Sequence, residues 1–121
     1  MAGVQKLDFD SPEETRTPEK TKVDLVRVGN TTVGRYVFEP GWRWSECIKP
    51  VAGTDSCQAR HLGVVQSGTL HVLHDDGTEL DLVAGDTYMI EPGHDAWVTG
   101  DEPYVGFEFE SRSAEDYARE R

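Results

Sequence analysis

Turn-forming residues recur at short intervals through the middle of this 121-residue chain, and this pattern constrains the fold more than any other feature of the sequence. Between residues 23 and 110, Pro, Gly, Asn and Asp separate short apolar runs that are rich in Val, Leu, Tyr and Phe. No segment in this range sustains the i, i+3, i+4 apolar spacing that an amphipathic helix needs. Many short strands joined by frequent turns predict an antiparallel β-sandwich or β-barrel. The turn signals are Pro40-Gly41, Pro50 to Gly53, Ser67-Gly68, Asp75 to Gly77, Gly85-Asp86, Pro92-Gly93 and Gly100 to Pro103.

The two ends of the chain differ from this central region. Residues 10–22 are polar, contain prolines and lack a core-forming pattern, which predicts a flexible or surface-draped arm over residues 1–22. The central β-domain extends over residues 23–110, and it opens on a predicted hairpin whose turn is Gly29-Asn30. Ser113 is a candidate N-cap followed by acidic residues, so we expect a short helix or tail at residues 111–121.

Composition and charge exclude several classes of partner. A chain of this length forms one domain. Its formal net charge of −11 argues against nucleic acid, because phosphate binding needs clustered Lys and Arg, and against an anionic membrane surface.

No apolar run is long enough to span a bilayer, and the N-terminus lacks the apolar core of a signal peptide, so we expect a cytoplasmic protein. In that reducing compartment a disulfide between Cys47 and Cys57 is not expected.

Two stretches of the central region carry glycine spacings that resemble the two motifs of the cupin superfamily, whose small single-domain members are jelly-roll β-barrels. The first stretch, "DSCQARHLGVVQSG", keeps the spacing of the first cupin motif up to its closing Gly68. The second, "GDTYMIEPGHDAWVTG", keeps Gly85 and Gly93 at the intervals of the second motif. The resemblance covers residues 41–110 and implies an all-β cupin jelly-roll barrel, to which the N-terminal arm and the short C-terminal helix are attached.

The positions at which cupins carry metal ligands hold other residues in this chain. Counting back from the closing glycine of the first motif, the family's Glu falls on His61. With the shorter motif spacing, the family's two His fall on Asp55 and Cys57. The His of the second motif falls on Ala96, and His94, two residues earlier, points to the same side of a regular strand. None of the four family ligands is kept in identity.

A metal site built from substituted ligands is still chemically competent. Cys57, His61 and His94 offer a thiolate and two imidazoles, a mixture that suits Zn²⁺ or Fe²⁺ better than the oxygen-seeking Mg²⁺ or Ca²⁺. Under the longer motif spacing, the first-motif positions fall on Thr54 and Ser56, which are poor ligands. The alternative is a barrel without metal, in which Cys57 is a small core residue and His61 a hydrogen-bonded polar group.

A ligand pocket in the barrel is predicted from aromatic and histidine side chains near the motifs. Trp44 shares a face with Trp42 if "GWRWSE" is a strand, and Trp97 follows the second motif, so that indole rings can wall a pocket for an apolar or aromatic ligand. Simple filling of the core is the alternative. His71 is a further candidate for a ligand or pocket base. The predicted pocket residues are Trp44, Cys57, His61, His71, His94 and Trp97.

The resemblance leaves three functions open. The first is a small-molecule-binding cupin of unknown substrate, with or without a divalent metal in the barrel. The second is a metal-dependent dioxygenase, isomerase or cyclase acting on a small organic substrate, and the third is a ligand-sensing or interaction module for a partner protein. Because one fold carries many functions, the sequence does not choose between an enzyme and a binding protein. A homodimer is expected, since the edge strands of such a small barrel need covering.

Overall fold

A computed structural model describes residues 3–109 and shows two antiparallel β-sheets that face each other across the core. The six-stranded sheet has the order β1-β2-β3-β9-β4-β7, and the three-stranded sheet has the order β6-β5-β8. The elements are β1 (Glu14–Arg16), β2 (Thr21–Val28), β3 (Thr31–Phe38), α1 (Trp44–Cys47), α2 (Lys49–Ala52), β4 (His61–Ser67), β5 (Thr69–His74), β6 (Glu79–Leu82), β7 (Thr87–Ile90), β8 (His94–Thr99) and β9 (Tyr104–Glu108). The all-β jelly-roll prediction is confirmed, although the two sheets form separate layers and do not close into one barrel.

The first hairpin forms where the sequence predicts it. Strands β2 and β3 pair along their full length, from Thr21 opposite Phe38 to Val28 opposite Thr31. The two residues left between them are the predicted turn, and Gly29 there has a φ of 62°, a left-handed conformation that glycine adopts without a steric penalty.

Period-two alternation in the strands places the core between the two sheets. In β8, the side chains of His94, Ala96 and Val98 are buried while the residues between them are more exposed. In β9, Tyr104 and Glu108 are buried in the same alternating way. Opposite faces of each strand therefore belong to different environments, as a half-buried sheet requires. The apolar core consists of Val23, Leu25, Tyr36, Phe38, Trp42, Trp44, Cys47, Ile48, Cys57, Val65, Leu70, Val72, Leu82, Tyr88, Ala96, Val98 and Tyr104.

The segment that follows β3 is not the predicted strand. Trp44 begins the four-residue helix α1, and α2 follows with Pro50 in its first turn. The backbone N–H of Ser45 donates to Asp95 Oδ1 at 3.1 Å, which ties α1 to β8. Both Trp42 and Trp44 are nonetheless buried. Helices of one turn are too short to leave an i, i+3, i+4 pattern in the sequence, which is why the alternation of the two tryptophans was misleading.

The six-stranded sheet extends into the segment that the sequence assigned to the arm. Strand β1 pairs with β2, with Thr15 opposite Asp24, and β2 itself starts at Thr21. Before β1, the Phe9 ring contacts the Phe107 ring on the outer face of the sheet, with centroids 5.5 Å apart. The predicted C-terminal helix lies outside the described residues. Within residues 3–109, no helix has the length and apolar character needed to cross a membrane.

Candidate metal centre

Three of the predicted site residues meet between the two sheets. Cys57, His61 and His94 are all buried, and one donor atom from each lies within 4.8 Å of the other two. His61 is the first residue of β4 and His94 the first of β8, so the two sheets each supply one imidazole. The backbone N–H of Cys57 donates to the His94 carbonyl at 2.7 Å, which fixes the thiol beside the rings.

Each imidazole has its Nδ1 engaged on the side away from the cluster. His61 Nδ1 lies 2.7 Å from Glu108 Oε1, and His94 Nδ1 lies 2.9 Å from the Glu91 carbonyl oxygen. Because a carboxylate and a carbonyl only accept hydrogen bonds, both Nδ1 atoms carry the proton. This leaves both Nε2 atoms as the metal-competent nitrogens, and His61 Nε2 lies 3.5 Å from the Cys57 sulfur. Metal-binding histidines in proteins are oriented by this kind of contact.

Glu108 is the residue beside the cluster that the sequence analysis missed. Its carboxylate is buried, with Oε1 at His61 and Oε2 accepting from the Tyr88 hydroxyl at 2.8 Å. Gly63 makes room for this group, because a Cβ there would lie 2.8 Å from the Tyr88 hydroxyl oxygen and 3.0 Å from Glu108 Cγ. The available signal was the alternation of Tyr104 and Glu108 in "YVGFEFE", which places both on one face of the strand.

The cluster favours the charged forms of its two adjacent groups. Burial acts to raise the pKa of the Cys57 thiol, but hydrogen bonds to His61 and His94 and the charges of these rings lower it to about 6. Burial acts to lower the pKa of His61, whereas the Glu108 charge and the hydrogen bonds to Cys57 and Glu108 raise it to about 10. At neutral pH the metal-free protein therefore holds a thiolate against an imidazolium.

The space inside the sheets is small. A cavity of about 20 Å³ borders His61, His94 and Trp44. This is room for about one water-sized molecule, so the predicted interior pocket cannot receive a metabolite without rearrangement.

A much larger groove of about 880 Å³ opens beside the cluster, between the edge strands β6 and β7. Tyr88 and Ile90 line both this groove and the interior cavity. Leu80 lies opposite the buried Val72 in the strand pairing, so its side chain is on the inner face of the sheet. It is nonetheless 50% exposed, because the groove leaves this end of the core open. The groove has the volume of a typical small-molecule site.

The other predicted residues lie in different surroundings. Trp44 lines the interior cavity. His71 and Trp97 face each other on the opposite side of the three-stranded sheet, with ring centroids 4.7 Å apart, and so lie away from the cluster. Asp55 is exposed and pairs with Lys49 at 3.7 Å. The structure thus brings Cys57, His61, His94 and Trp44 together and leaves the remaining ones outside.

No protein-family model matches the chain, and no curated protein matches it in sequence. Solved structures match its fold. A sugar phosphate isomerase from a cupin superfamily, from Silicibacter pomeroyi, shares 21% identity over 87% of this chain and 74% of that chain, with a TM-score of 0.61.

Two further structures give the same picture. An uncharacterized protein with a double-stranded beta-helix domain from Klebsiella pneumoniae shares 19% identity, covers 91% of each chain and has a TM-score of 0.57. A cupin-like protein from Thermotoga maritima shares 21% identity over 85% of this chain and 82% of that one, with a TM-score of 0.54.

Proposed function

We propose that this cupin-fold protein is a small-molecule-binding protein that holds a divalent transition metal through Cys57, His61 and His94. The observation that carries the proposal is the convergence of three buried donor atoms within 4.8 Å of one another. Support also comes from the contacts behind the rings, since Glu108 and the Glu91 carbonyl hold both imidazoles in the tautomer that presents Nε2.

The donor set fits zinc or iron(II). One thiolate and two imidazoles form a three-ligand shell typical of sites that keep a position free for a further ligand, and Mg²⁺ or Ca²⁺ would require oxygen donors instead. A metal held here would act as a Lewis acid. The protein's own contribution is to fix the His61 tautomer through Glu108, to hold the Cys57 thiolate beside it and to exclude bulk water from the cluster.

The organic ligand is placed in the groove between β6 and β7, because the interior cavity is too small for it. Tyr88 and Ile90 line both spaces, so a ligand in the groove would lie against the wall of the cluster. The groove is lined by four carboxylate residues and, among the described residues, by no Lys or Arg. A neutral or cationic ligand therefore fits better than a phosphate ester, and the sugar phosphate named for the Silicibacter pomeroyi protein is not expected here.

Elemental analysis tests the metal. We expect protein purified without added metal or chelator to carry about one zinc or iron per chain. The substitutions Cys57→Ala and His61→Ala should each remove most of it, because two remaining ligands bind weakly. His71→Ala is the matched control, since this histidine lies on the far side of the three-stranded sheet. The proposal would be excluded by a metal content well below one per chain that stays the same in Cys57→Ala and His61→Ala.

A further inference from the structure

The groove between β6 and β7 is bordered by two sheet edges. Within residues 3–109, each of these strands is the last of its sheet and pairs with one neighbour, β5 for β6 and β4 for β7. Every residue of β7, from Thr87 to Ile90, lines the groove, and so do Leu80, Asp81 and Leu82 of β6. Since consecutive side chains of a strand point to opposite faces, the groove follows the edges of these strands and not one face of a sheet.

Main-chain groups of β7 point toward this open edge. The carbonyl oxygen of Leu62 in β4 accepts from the Phe109 N–H at 3.0 Å, so the main-chain groups of Leu62 face away from β7. Met89 lies directly opposite Leu62. Two facing residues of an antiparallel pair either bond to each other or both point away from each other. Met89 therefore directs its N–H and its carbonyl oxygen away from β4, and the same holds for Thr87, two residues earlier.

Strand β7 lacks the features that protect the other sheet ends in the described part of the chain. The edge of β8 is covered by Cys57, which exchanges main-chain hydrogen bonds with His94. Strands β1 and β6 each carry two charged side chains within three or four residues. The four residues of β7 include no charged side chain. An uncharged and uncovered edge is the kind that pairs with a further strand.

The charge of the groove indicates which strand fits there. Asp86 precedes β7, Glu91 follows it, and Asp76 and Asp81 also line the groove. Among the described residues no Lys or Arg lines it, and Arg60, which lies 3.5 Å from Glu91, is exposed and outside the lining. A second copy of β7 would bring its own carboxylates to the same edge, whereas a cationic strand would offset the charge that is there.

We infer that the groove binds an extended peptide segment with cationic side chains, which pairs with β7 as an additional strand. This assignment rests on the proposed function, which places an organic ligand in the groove, and it names the class of that ligand. Hydrogen bonds to Thr87 and Met89 would hold the peptide backbone. Alternate side chains would face the apolar opening beside Leu80 and Tyr88, and the others would reach the carboxylates. The four residues of β7 span about 13 Å, which a short peptide can follow.

A blocked hexapeptide of alternating Val and Lys is the probe, because its two residue types occupy opposite faces of a strand. It is titrated into nitrogen-15 labelled, zinc-loaded protein. We expect saturable binding that slows hydrogen exchange at the Thr87 and Met89 amides, because these N–H groups gain acceptors. Exchange at Tyr88, which faces β4, should not change. The same peptide with Glu in place of Lys should bind far more weakly.

Methylation of peptide nitrogens isolates the strand pairing. In an extended peptide of this pattern, all Val N–H groups point to one edge and all Lys N–H groups to the other. Methylation of one set should abolish binding, and methylation of the other set should preserve it. Binding of both methylated peptides, or of neither, would overturn the inference. A Met89 amide already protected before peptide is added would overturn it as well, since the edge would then be occupied by the chain itself or by a second copy.

A substitution in β7 gives the matching test on the protein. Met89→Pro removes the N–H at the free edge, a change that edge strands tolerate, and should weaken peptide binding by about tenfold. Met89→Ala keeps the N–H and should bind within a few-fold of the native protein. If Met89→Pro does not fold, the methylated peptides decide. A phenylalkyl amine that binds in the groove while the peptide does not would overturn this inference alone; if neither binds, the proposed ligand site fails with it.

Discussion

His61 lies between two groups that both favour its protonated ring. The Cys57 sulfur is 3.5 Å from Nε2, and a Glu108 oxygen is 2.7 Å from Nδ1. Without a metal, the proton on His61 Nε2 balances the charge of the Cys57 thiolate. A metal bound to Nε2 would replace that proton, so metal binding should release protons. Glu108 serves both states, because it accepts from Nδ1 in each of them.

The stability of the metal-free protein should depend on pH through this pair. The pKa of Cys57 falls from 9.0 to about 6 on folding, so its contribution is complete above pH 9 and is lost as the pH falls to about 6. The pKa of His61 rises from 6.5 to about 10, so its contribution is complete below pH 6.5 and is lost as the pH rises to about 10. The sum of these two contributions to the free energy of unfolding is level from about pH 6.5 to 9. It declines below and above this range.

Urea unfolding of chelator-treated protein across this pH range measures the profile. Cys57→Ala should flatten the acid side, because no thiolate is then protonated. Cys47→Ala provides the control, since Cys47 is the other buried free thiol, and this substitution should lower stability without altering the shape of the profile. An acid limb that Cys57→Ala leaves unchanged would show that other groups control it.

Sequence reasoning predicted which three donor residues come together better than it predicted the groups that surround them. Cys57, His61 and His94 follow from motif spacing and from the period of two in a strand, and the structure brings them together. His71 shares the residue type but lies on the other face of its sheet. Glu108 escaped notice because an acidic residue near the end of a strand usually faces solvent, and only the packing of three strands shows that it is buried.

At the level of elements, the cluster depends on close contact between β4, β7 and β9. Gly63 of β4 pairs with Tyr88 of β7 and with Glu108 of β9. A Cβ at Gly63 would lie 2.3 Å from the Phe107 carbonyl oxygen, a backbone atom that cannot move without displacing the strand. A glycine is therefore needed here for proximity, and no positive φ is involved.

Gly63→Ala should reduce the free energy of unfolding by about 1–3 kcal/mol, the range found for overpacked cores. The substitution also pushes on Tyr88 and Glu108, so it should weaken metal binding at the same time. Urea denaturation of the metal-free protein gives the first effect, and a competitive zinc titration gives the second. Gly3→Ala is the matched control, because a Cβ at Gly3 meets no atom within 4 Å. Equal stability of the two variants would argue against the close packing.

Strand alternation and turn residues predicted most of the elements, and the misses have physical causes. Helices α1 and α2 have four residues each, too few to leave a periodic pattern. Strand β1 has three residues, all of them polar, and it forms because β2 offers it a free edge, a tertiary effect that local sequence does not carry.

At the scale of the whole molecule, the two sheets pack closely and leave an interior cavity of only about 20 Å³. The proposed organic ligand therefore fits the groove at the open edge and not the interior. The two edge strands that border the groove, β6 and β7, belong to different sheets. The chain carries a net charge of −11, and the groove shares this character through Asp76, Asp81, Asp86 and Glu91. The homodimer expected from the exposed edges stays a prediction.

The groove should distinguish organic ligands by charge. We expect a phenylalkyl amine to shift the methyl resonances of Leu80 and Met89 in NMR spectra, and the carboxylate of the same shape to shift them far less, because the acidic lining repels it. Glu91→Gln should weaken amine binding by a few-fold. Glu79→Gln is the control, since Glu79 is an exposed carboxylate of β6 that does not line the groove. Stronger binding of the carboxylate would contradict the assignment of ligand charge.

The central claim is that one sulfur and two imidazoles hold a metal between the sheets. X-ray absorption at the metal edge of the loaded protein tests it most directly, because it identifies the atoms bound to the metal. The account predicts one sulfur and two imidazole nitrogens in the native protein and in Cys47→Ala. In Cys57→Ala, the metal that binds when it is supplied in excess should have no sulfur neighbour. A bound metal surrounded only by oxygen donors, or a sulfur signal that Cys57→Ala leaves intact, would contradict it.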